Sequence, residues 1–378
     1  MLLPLSVVAG VVLVGGGVID DWGSWHSAGL ADGGGALIPG GPVAVWEPVK
    51  LLSGDGGGFF NAGSAHPFEN PDGLTNAFEI ILMLVIPTAL LRTCGRMVGS
   101  VRAGYTLFAV AGVIFILFAV LTIFAEHATG EAAPAVAGGT MNGKEARFGP
   151  SGSALFGIAP TSTADGAGGA AYDGFTALGG GLLMAAMMLG EISPGGVGSG
   201  LYGLLMVALV AVFLAGLMVG RTPEFVTKRV SAREMKYVAL YYLSGPFVLL
   251  TGTALAISRP GERASMNNAG AHGFSEVLYA FTSSANSNGS SFAGLNGNTT
   301  WYNVGLALVM LFGRYLPMIF VLALAGAFAR QRPGVVTSGT VRTTGPLFAS
   351  LTVFSALVLV GLTFLPALAL GPIADGLH

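Results

Sequence analysis

Seven stretches of this chain are long and apolar enough to enter a bilayer, and they constrain every other element. A helix needs about 20 mostly apolar residues to cross the hydrocarbon core. Such stretches fall at residues 1–18, 76–92, 104–126, 175–219, 236–257, 301–328 and 346–371. Charged residues make up 10% of the chain and hydrophobic ones 53%, where a soluble domain carries roughly a quarter of its residues charged. An all-α integral membrane protein follows, because a backbone in lipid must satisfy its polar groups within the segment. The net charge of −2 offers no basic field for nucleic acid. A single cysteine, Cys94, excludes an internal disulfide and reads as packing near a helix end; no Cys/His cluster has metal-site spacing.

The basic residues predict which connections lie inside. Lys and Arg accumulate in cytoplasmic loops, and three short connections are basic: 92–103 with Arg92, Arg96 and Arg102, 220–236 with Arg221, Lys228, Arg229, Arg233 and Lys236, and 329–345 with Arg330, Arg332 and Arg342. The alternating connections, 19–75, 127–174 and 258–300, are longer, richer in glycine and poorer in positive charge, and are expected outside. Region 175–219 is too long for one straight crossing and is interrupted at Gly190–Gly200, so it holds either two spans or one broken helix. Only a net single crossing keeps 127–174 outside and 220–236 inside. The expectation is seven crossings, starting inside, with an intramembrane loop in the fourth.

Each outer connection ends alike, with a short apolar stretch, a small polar turn and then the next span. Val43–Leu52 leads to Ser53, Gly54, Asp55, Gly56, Gly57 and Gly58. Ala154–Ala159 leads through Pro160 to Thr161, Ser162, Thr163, Ala164, Asp165 and Gly166. Phe274–Thr282 leads to Ser283, Ser284, Ala285, Asn286, Ser287, Asn288 and Gly289. Glycine lets the backbone take positive φ and brings carbonyl oxygens close to a guest, and a ring of carbonyls at such a place can replace a cation's water shell. One glycine run alone reads equally well as a flexible linker. Span, re-entrant helix, turn and span, three times on one side, is the unit of potassium-channel-type pores. Arg314 lies deep in the span 301–328, where a charge is costly and by default functional. Snorkelling to the inner interface is the bland alternative.

The stretches GGGFFNAGSAHPFENP, GGVGSGLYG with LAGLMVGRTPEF, GFSEVLYAFTSSANSNGSSFAGLNGNT and FLPALALGP resemble the potassium-binding A subunit of the Kdp potassium-transporting ATPase, the KdpA family. The similarity runs over nearly the whole chain. It implies a fourfold pseudo-symmetric bundle of membrane–pore–membrane repeats whose four pore loops form an outward-facing potassium filter. This chain would supply three: 1–92 as family repeat 2, 93–219 as repeat 3 with a broken second helix, and 220–328 as repeat 4, followed by a C-terminal helix in 329–378. Its abrupt apolar start suggests a missing upstream portion.

The resemblance also implies a primary-transport function, with the chain as one subunit of an ATP-driven potassium import complex in a bacterial inner membrane. Potassium is the substrate, held by backbone carbonyls, and no organic cofactor is implied. ATP and Mg2+ would sit only on a P-type ATPase B subunit, with small C and F subunits beside it. The chain has neither a GxxxxGK[ST] phosphate loop nor a DKTG phosphorylation motif. Carried over by position, the filter loops are Gly54–Gly58, Thr161 to about Gly168, and Ser283–Ser290. The interruption with Glu191, Gly195, Gly196 and Gly198 matches the family's gating loop, with Arg314 and Glu191 as partners or lining groups of the ion path. Arg221 joins that path or serves as an inner anchor. Two departures stand out: Gly54-Asp55 replaces the usual Thr-Asn, and the loop around Asp165 reads one residue longer than the family pattern. His66, Glu69 and Asn70 read as capping the next helix and bracing the first turn from behind. Competing readings are a stand-alone channel or ion-coupled symporter of the same superfamily, and a non-functional remnant.

Overall fold

The computed structural model describes residues 1–23, 25–29, 35–128, 139–220, 223–332, 334 and 342–377. In chain order its principal helices are α1 (Leu2–Gly15), α2 (Val43–Ser53), α3 (Gly73–Met97), α4 (Val101–His127), α5 (Gly149–Ser162) and α6 (Ala177–Met188). They continue with α7 (Ser199–Val219), α8 (Ala232–Ser258), α9 (Gly270–Asn286), α10 (Thr300–Ala329) and α11 (Pro346–Leu368). Six of them, α3, α4, α7, α8, α10 and α11, are long and apolar enough to cross a membrane. The chain is a multi-pass, mostly helical membrane protein. Among the described residues, strands occur only as two small hairpins, His26–Gly29 with Gly35–Ile38 and Glu224–Phe225 with Lys228–Arg229.

Two expected spans differ in the structure. Residues 1–18 form the 14-residue α1, about 21 Å long at 1.5 Å per residue, against a hydrocarbon core of about 30 Å. It lies against α2, where a methyl group on Gly10 would come within 3.0 Å of the Ala44 carbonyl oxygen. Region 175–219 divides into α6, of 12 residues, and α7, of 21. At about 18 Å, α6 is shorter than the hydrocarbon core. The break has a local cause. Gly190, Glu191, Gly195 and Gly198 all take positive φ, and no right-handed helix passes through such a run.

The third difference is at a helix start. The span expected from 76 begins at Gly73 because Asp72 caps it. Its Oδ1 accepts from Leu74 N at 2.9 Å and Thr75 N at 2.8 Å, while Thr75 Oγ1 accepts from Asp72 N at 3.0 Å. This reciprocal box satisfies amides that would otherwise lack partners. Asn70 braces it through Thr75 Oγ1 at 2.8 Å. Asp72, not His66, Glu69 or Asn70, is the capping residue.

The short helices α5 and α9 occupy the interior, whereas α2 is half-buried, with Val45, Trp46 and Val49 exposed. Phe156 and Ile158 of α5 and Val277, Leu278 and Tyr279 of α9 are wholly buried. Polar ties hold the connections above them. Glu126, at the end of α4, pairs with Lys144 Nζ at 2.7 Å and accepts from Thr176 N and Oγ1 at 3.0 Å each, joining α4 to the start of α6. Arg147 Nε donates to the Asn70 carbonyl at 2.9 Å, and another of its nitrogens reaches the Ala65 carbonyl. The connections before α3 and before α5 are thereby joined.

Candidate ion-binding site

Three helix C-termini converge on three turns. α2 stops where Gly54 turns left-handed, at φ 74, and Lys50 O then accepts from both Gly54 N and Asp55 N. α5 stops before Ala164, at φ 53, with Asp165 N returning to Pro160 O at 3.3 Å. α9 stops at Ser287, at φ 57, with Asn288 N returning to Ser283 O at 2.9 Å. A helix C-terminus carries partial negative charge, so three aimed at one place favour a cation there.

The turns meet backbone to backbone, which is why their central residues are glycine. A methyl group on Gly56 would lie 2.0 Å from Gly166 N, and one on Gly166 would lie 2.8 Å from Asn288 O. On Gly289 it would lie 3.5 Å from Gly166 Cα and 3.9 Å from Asp55 O. Gly56, Gly166, Gly289 and the Asp55 and Asn288 carbonyls are thus brought together.

The other expected residues divide by position. Thr161 and Ser162 belong to the last turn of α5, and Ser283, Ser284, Ala285 and Asn286 to the last turn of α9. Thr161 and Thr163 spend their hydroxyls on the Gly157 and Ala159 carbonyls at 2.8 and 2.9 Å. Asp165 is wholly buried and its Oδ1 accepts from Ala167 N at 2.9 Å, so this carboxylate shapes the turn. Ser283 Oγ accepts from Gly289 N at 3.0 Å and donates to Ser290 O at 2.9 Å, closing the third turn on itself. Asp55 is exposed. Gly57 departs from expectation, since its carbonyl accepts from Lys50 Nζ at 2.9 Å behind the turn.

The helix interruption lies directly against these turns. Gly195 N donates to Ser162 O at 2.9 Å, and a methyl group on Gly196 would come within 2.8 Å of Ala164 Cβ. Gly54 faces Val197 and Gly198 starts α7. Beside the interruption is a cavity of about 120 Å3 lined by Glu191, Tyr202, Tyr241, Asn286, Ser287 and Arg314. At this size it has room for several waters. Arg314 is set there by the preceding Gly313, where a methyl group would lie 2.1 Å from Ala285 O. Glu191 and Arg314 share the cavity without an ion pair among the described residues; the Glu191 carboxylate instead accepts from Asn288 Nδ2 at 2.9 Å. Arg221 lies outside the described residues.

The model of the family described as the potassium-transporting ATPase A subunit, KdpA, matches residues 1–377. The chain belongs to the KdpA family. Its potassium-transporting ATPase potassium-binding subunit relative in Streptomyces avermitilis is 53% identical over 377 residues, covering 100% of this chain and 68% of the relative. Proteins of that name in Clavibacter michiganensis and Mycobacterium avium are 51% and 50% identical over 383 and 379 residues, again covering 100% of this chain and 68% of theirs.

Two further side chains support this KdpA site, one inside the motif stretches and one outside them. The Glu69 carboxylate accepts from Phe60 N at 3.3 Å and from Phe59 N, bracing the glycine turn from behind as expected; burial pushes it up to about 7. His272, at the start of α9, bridges Asp173 at 2.9 Å and Asp375 at 2.8 Å. The hydrogen bond to Asp173 leads in raising it to about 9, against the opposing effect of burial. Asp173 and Asp375 lie 99 and 103 residues away in sequence, which is why no local pattern announces the bridge.

Proposed function

We propose that this chain is the potassium-binding and translocating subunit of an ATP-driven potassium import complex. The observation that carries the reading is the meeting of three glycine turns at Gly56, Gly166 and Gly289, each at the end of a short helix and all against the Glu191–Gly198 interruption. Carbonyl oxygens there would take the place of a cation's water shell, and the helix ends would favour its charge. Relatives about half identical are named as the potassium-binding subunit of a potassium-transporting ATPase, and this supports potassium as the substrate.

In this reading 1–92, 93–219 and 220–328 are three pore repeats, followed by a C-terminal helix in 329–378. The turns face outward from a bacterial inner membrane. The filter comprises the residues between Gly54 and Gly58, Thr161 and Gly166, and Ser283 and Gly289, in which Gly57 acts through its backbone shape rather than its carbonyl. Ions leave by way of Glu191, Arg314 and the interruption. A P-type ATPase B subunit supplies ATP hydrolysis with Mg2+, and small C and F subunits complete the assembly.

The test is ATP hydrolysis by the chain assembled with its ATPase partner in vesicles. Stimulation by potassium and not by sodium is expected. Potassium flux that proceeds without ATP or the partner would instead make this a stand-alone channel or symporter.

A further inference from the structure

Directly behind the Gly54–Gly58 turn lies a buried charge pair that the filter reading leaves unused. Lys50 of α2 is 3% exposed and Glu47 0%. Lys50 Nζ lies 2.8 Å from Glu47 Oε2, 2.9 Å from the Gly57 carbonyl and 2.8 Å from the Gly63 carbonyl. An ammonium has three protons to give, and all three have acceptors here. Glu47 is held in turn by Ser64 Oγ, which donates to its Oε1 at 2.6 Å.

Two charges in a buried helix are expensive, and an apolar pair of similar volume often serves stability better. Lys50 spends its remaining hydrogen bonds on one object, the loop from Gly57 to Gly63, and Glu47 reaches Ser64 of the same loop. The ammonium engages the Gly57 carbonyl and pins the far end of the loop at Gly63. A turn tied at both ends by a fixed cation resists contracting around a smaller guest. Whether a filter discriminates by cavity size or by carbonyl field, the shape of its wall must be held.

We propose that Lys50, oriented by Glu47, is the positioning residue of the first turn and sets its preference for potassium over the smaller sodium ion. The inference rests on the reading of the turns as a cation filter. Lys50 touches no ion in this account and acts through Gly57 and Gly63.

The test uses the assembled complex in vesicles, with the apparent KM for potassium and for sodium in ATP hydrolysis as the readout. The unaltered complex is measured first; if it shows no potassium preference, the filter reading falls and this inference with it. The double variant Glu47→Gln/Lys50→Met removes both charges of the pair together, and insertion and co-purification with the ATPase partner are read first, because the buried carboxyls of Glu69 and Glu79 beside the pair lose their nearby cation. Its potassium KM should rise about tenfold or more, as expected for lost hydrogen bonds from a charged donor, and its sodium-to-potassium KM ratio should fall. Lys50→Arg keeps the charge and the donors and should recover part of that ratio. A double variant that assembles with the parental ratio overturns the proposal. Failure of both variants to insert also overturns it, assigning the pair to folding alone.

Discussion

Asn288 Nδ2 donates to Glu191 Oε1 at 2.9 Å and to the Pro160 carbonyl at 2.7 Å. One buried amide thus joins the third turn to the end of α5 and to the helix interruption. Asn288→Ala strands a buried carboxyl oxygen of Glu191, whereas the Pro160 carbonyl keeps its bonds from Thr163 N and Asp165 N, and the lost partner costs about 1–3 kcal/mol. Glu191→Gln keeps an acceptor oxygen and should cost less. Thermal unfolding of the purified chain and both variants measures this, and the double variant should show coupling of about 0.5–3 kcal/mol. Additive losses would mean that the interruption is not tied to the turn.

The glycines of the first turn should not be equivalent. Gly56 and Gly57 both take positive φ, at 66 and 89, but a methyl group on Gly56 would strike the Gly166 backbone, whereas one on Gly57 meets nothing within 4 Å. Gly57→Ala should therefore cost only the left-handed strain of about 1–2 kcal/mol. Gly56→Ala must separate two turns. Isothermal titration with potassium should find binding lost in Gly56→Ala and weakened in Gly57→Ala. Equal effects would argue against the meeting point.

The three turns were legible because each follows an apolar stretch and collects small polar residues. The helices before them were legible only in part. α5 begins at Gly149 rather than Ala154 and α9 at Gly270 rather than Phe274, since Gly, Ser and Pro at a helix start lower its hydropathy without preventing helix. The role of Lys50 was hidden for a different reason. Its partners are backbone carbonyls 7 and 13 residues away, and a carbonyl has no residue type. Glu191 and Arg314, expected as partners or as lining groups of one path, line one cavity without pairing, because charge in sequence fixes need, not distance, and Asn288 answers Glu191 first. Of His66, Glu69 and Asn70, Glu69 holds the first turn through Phe59 N and Phe60 N, Asn70 bonds Thr75 and Asn76, and the cap fell to Asp72.

The Asp173–His272–Asp375 bridge gives a pH window. His272 is raised from 6.5 to about 9, chiefly by its hydrogen bond to Asp173. A histidine whose folded value is raised contributes its full stability below the unfolded value, and loses it as pH climbs to the folded one. The unaltered chain should therefore be more heat-stable than His272→Gln at pH 6, with the difference shrinking between about pH 6.5 and 9 and gone above it. Glu276 lies within 4.8 Å of the same groups, but its carboxylate is engaged by Asn267 N and Asn268 N at 2.9 Å each. Melting curves across that range decide the matter. A constant difference would mean that His272 contributes packing rather than charge.

The broken helix predicts a sidedness that two complete spans would reverse. Asn142 lies before α6 and Arg233 in the first turn of α8. Between them, α6 and α7 together make one net crossing only if α6 turns back or stops short within the bilayer, as its 12 residues require. Cysteines introduced at Asn142 and at Arg233, in a background where the buried Cys94 is replaced by Ala, should be labelled by an impermeant maleimide from opposite faces of sealed vesicles. The basic residues Lys228, Arg229 and Lys236 place the second site inside by the positive-inside rule, so the Asn142 site should react from the outside and the Arg233 site only after permeabilisation. Labelling of both from one face would make 175–219 two crossings, and would place the turns at the ends of α5 and α9 on opposite sides of the membrane. Three turns so separated could not meet at Gly56, Gly166 and Gly289, so this measurement tests the topology and the site together.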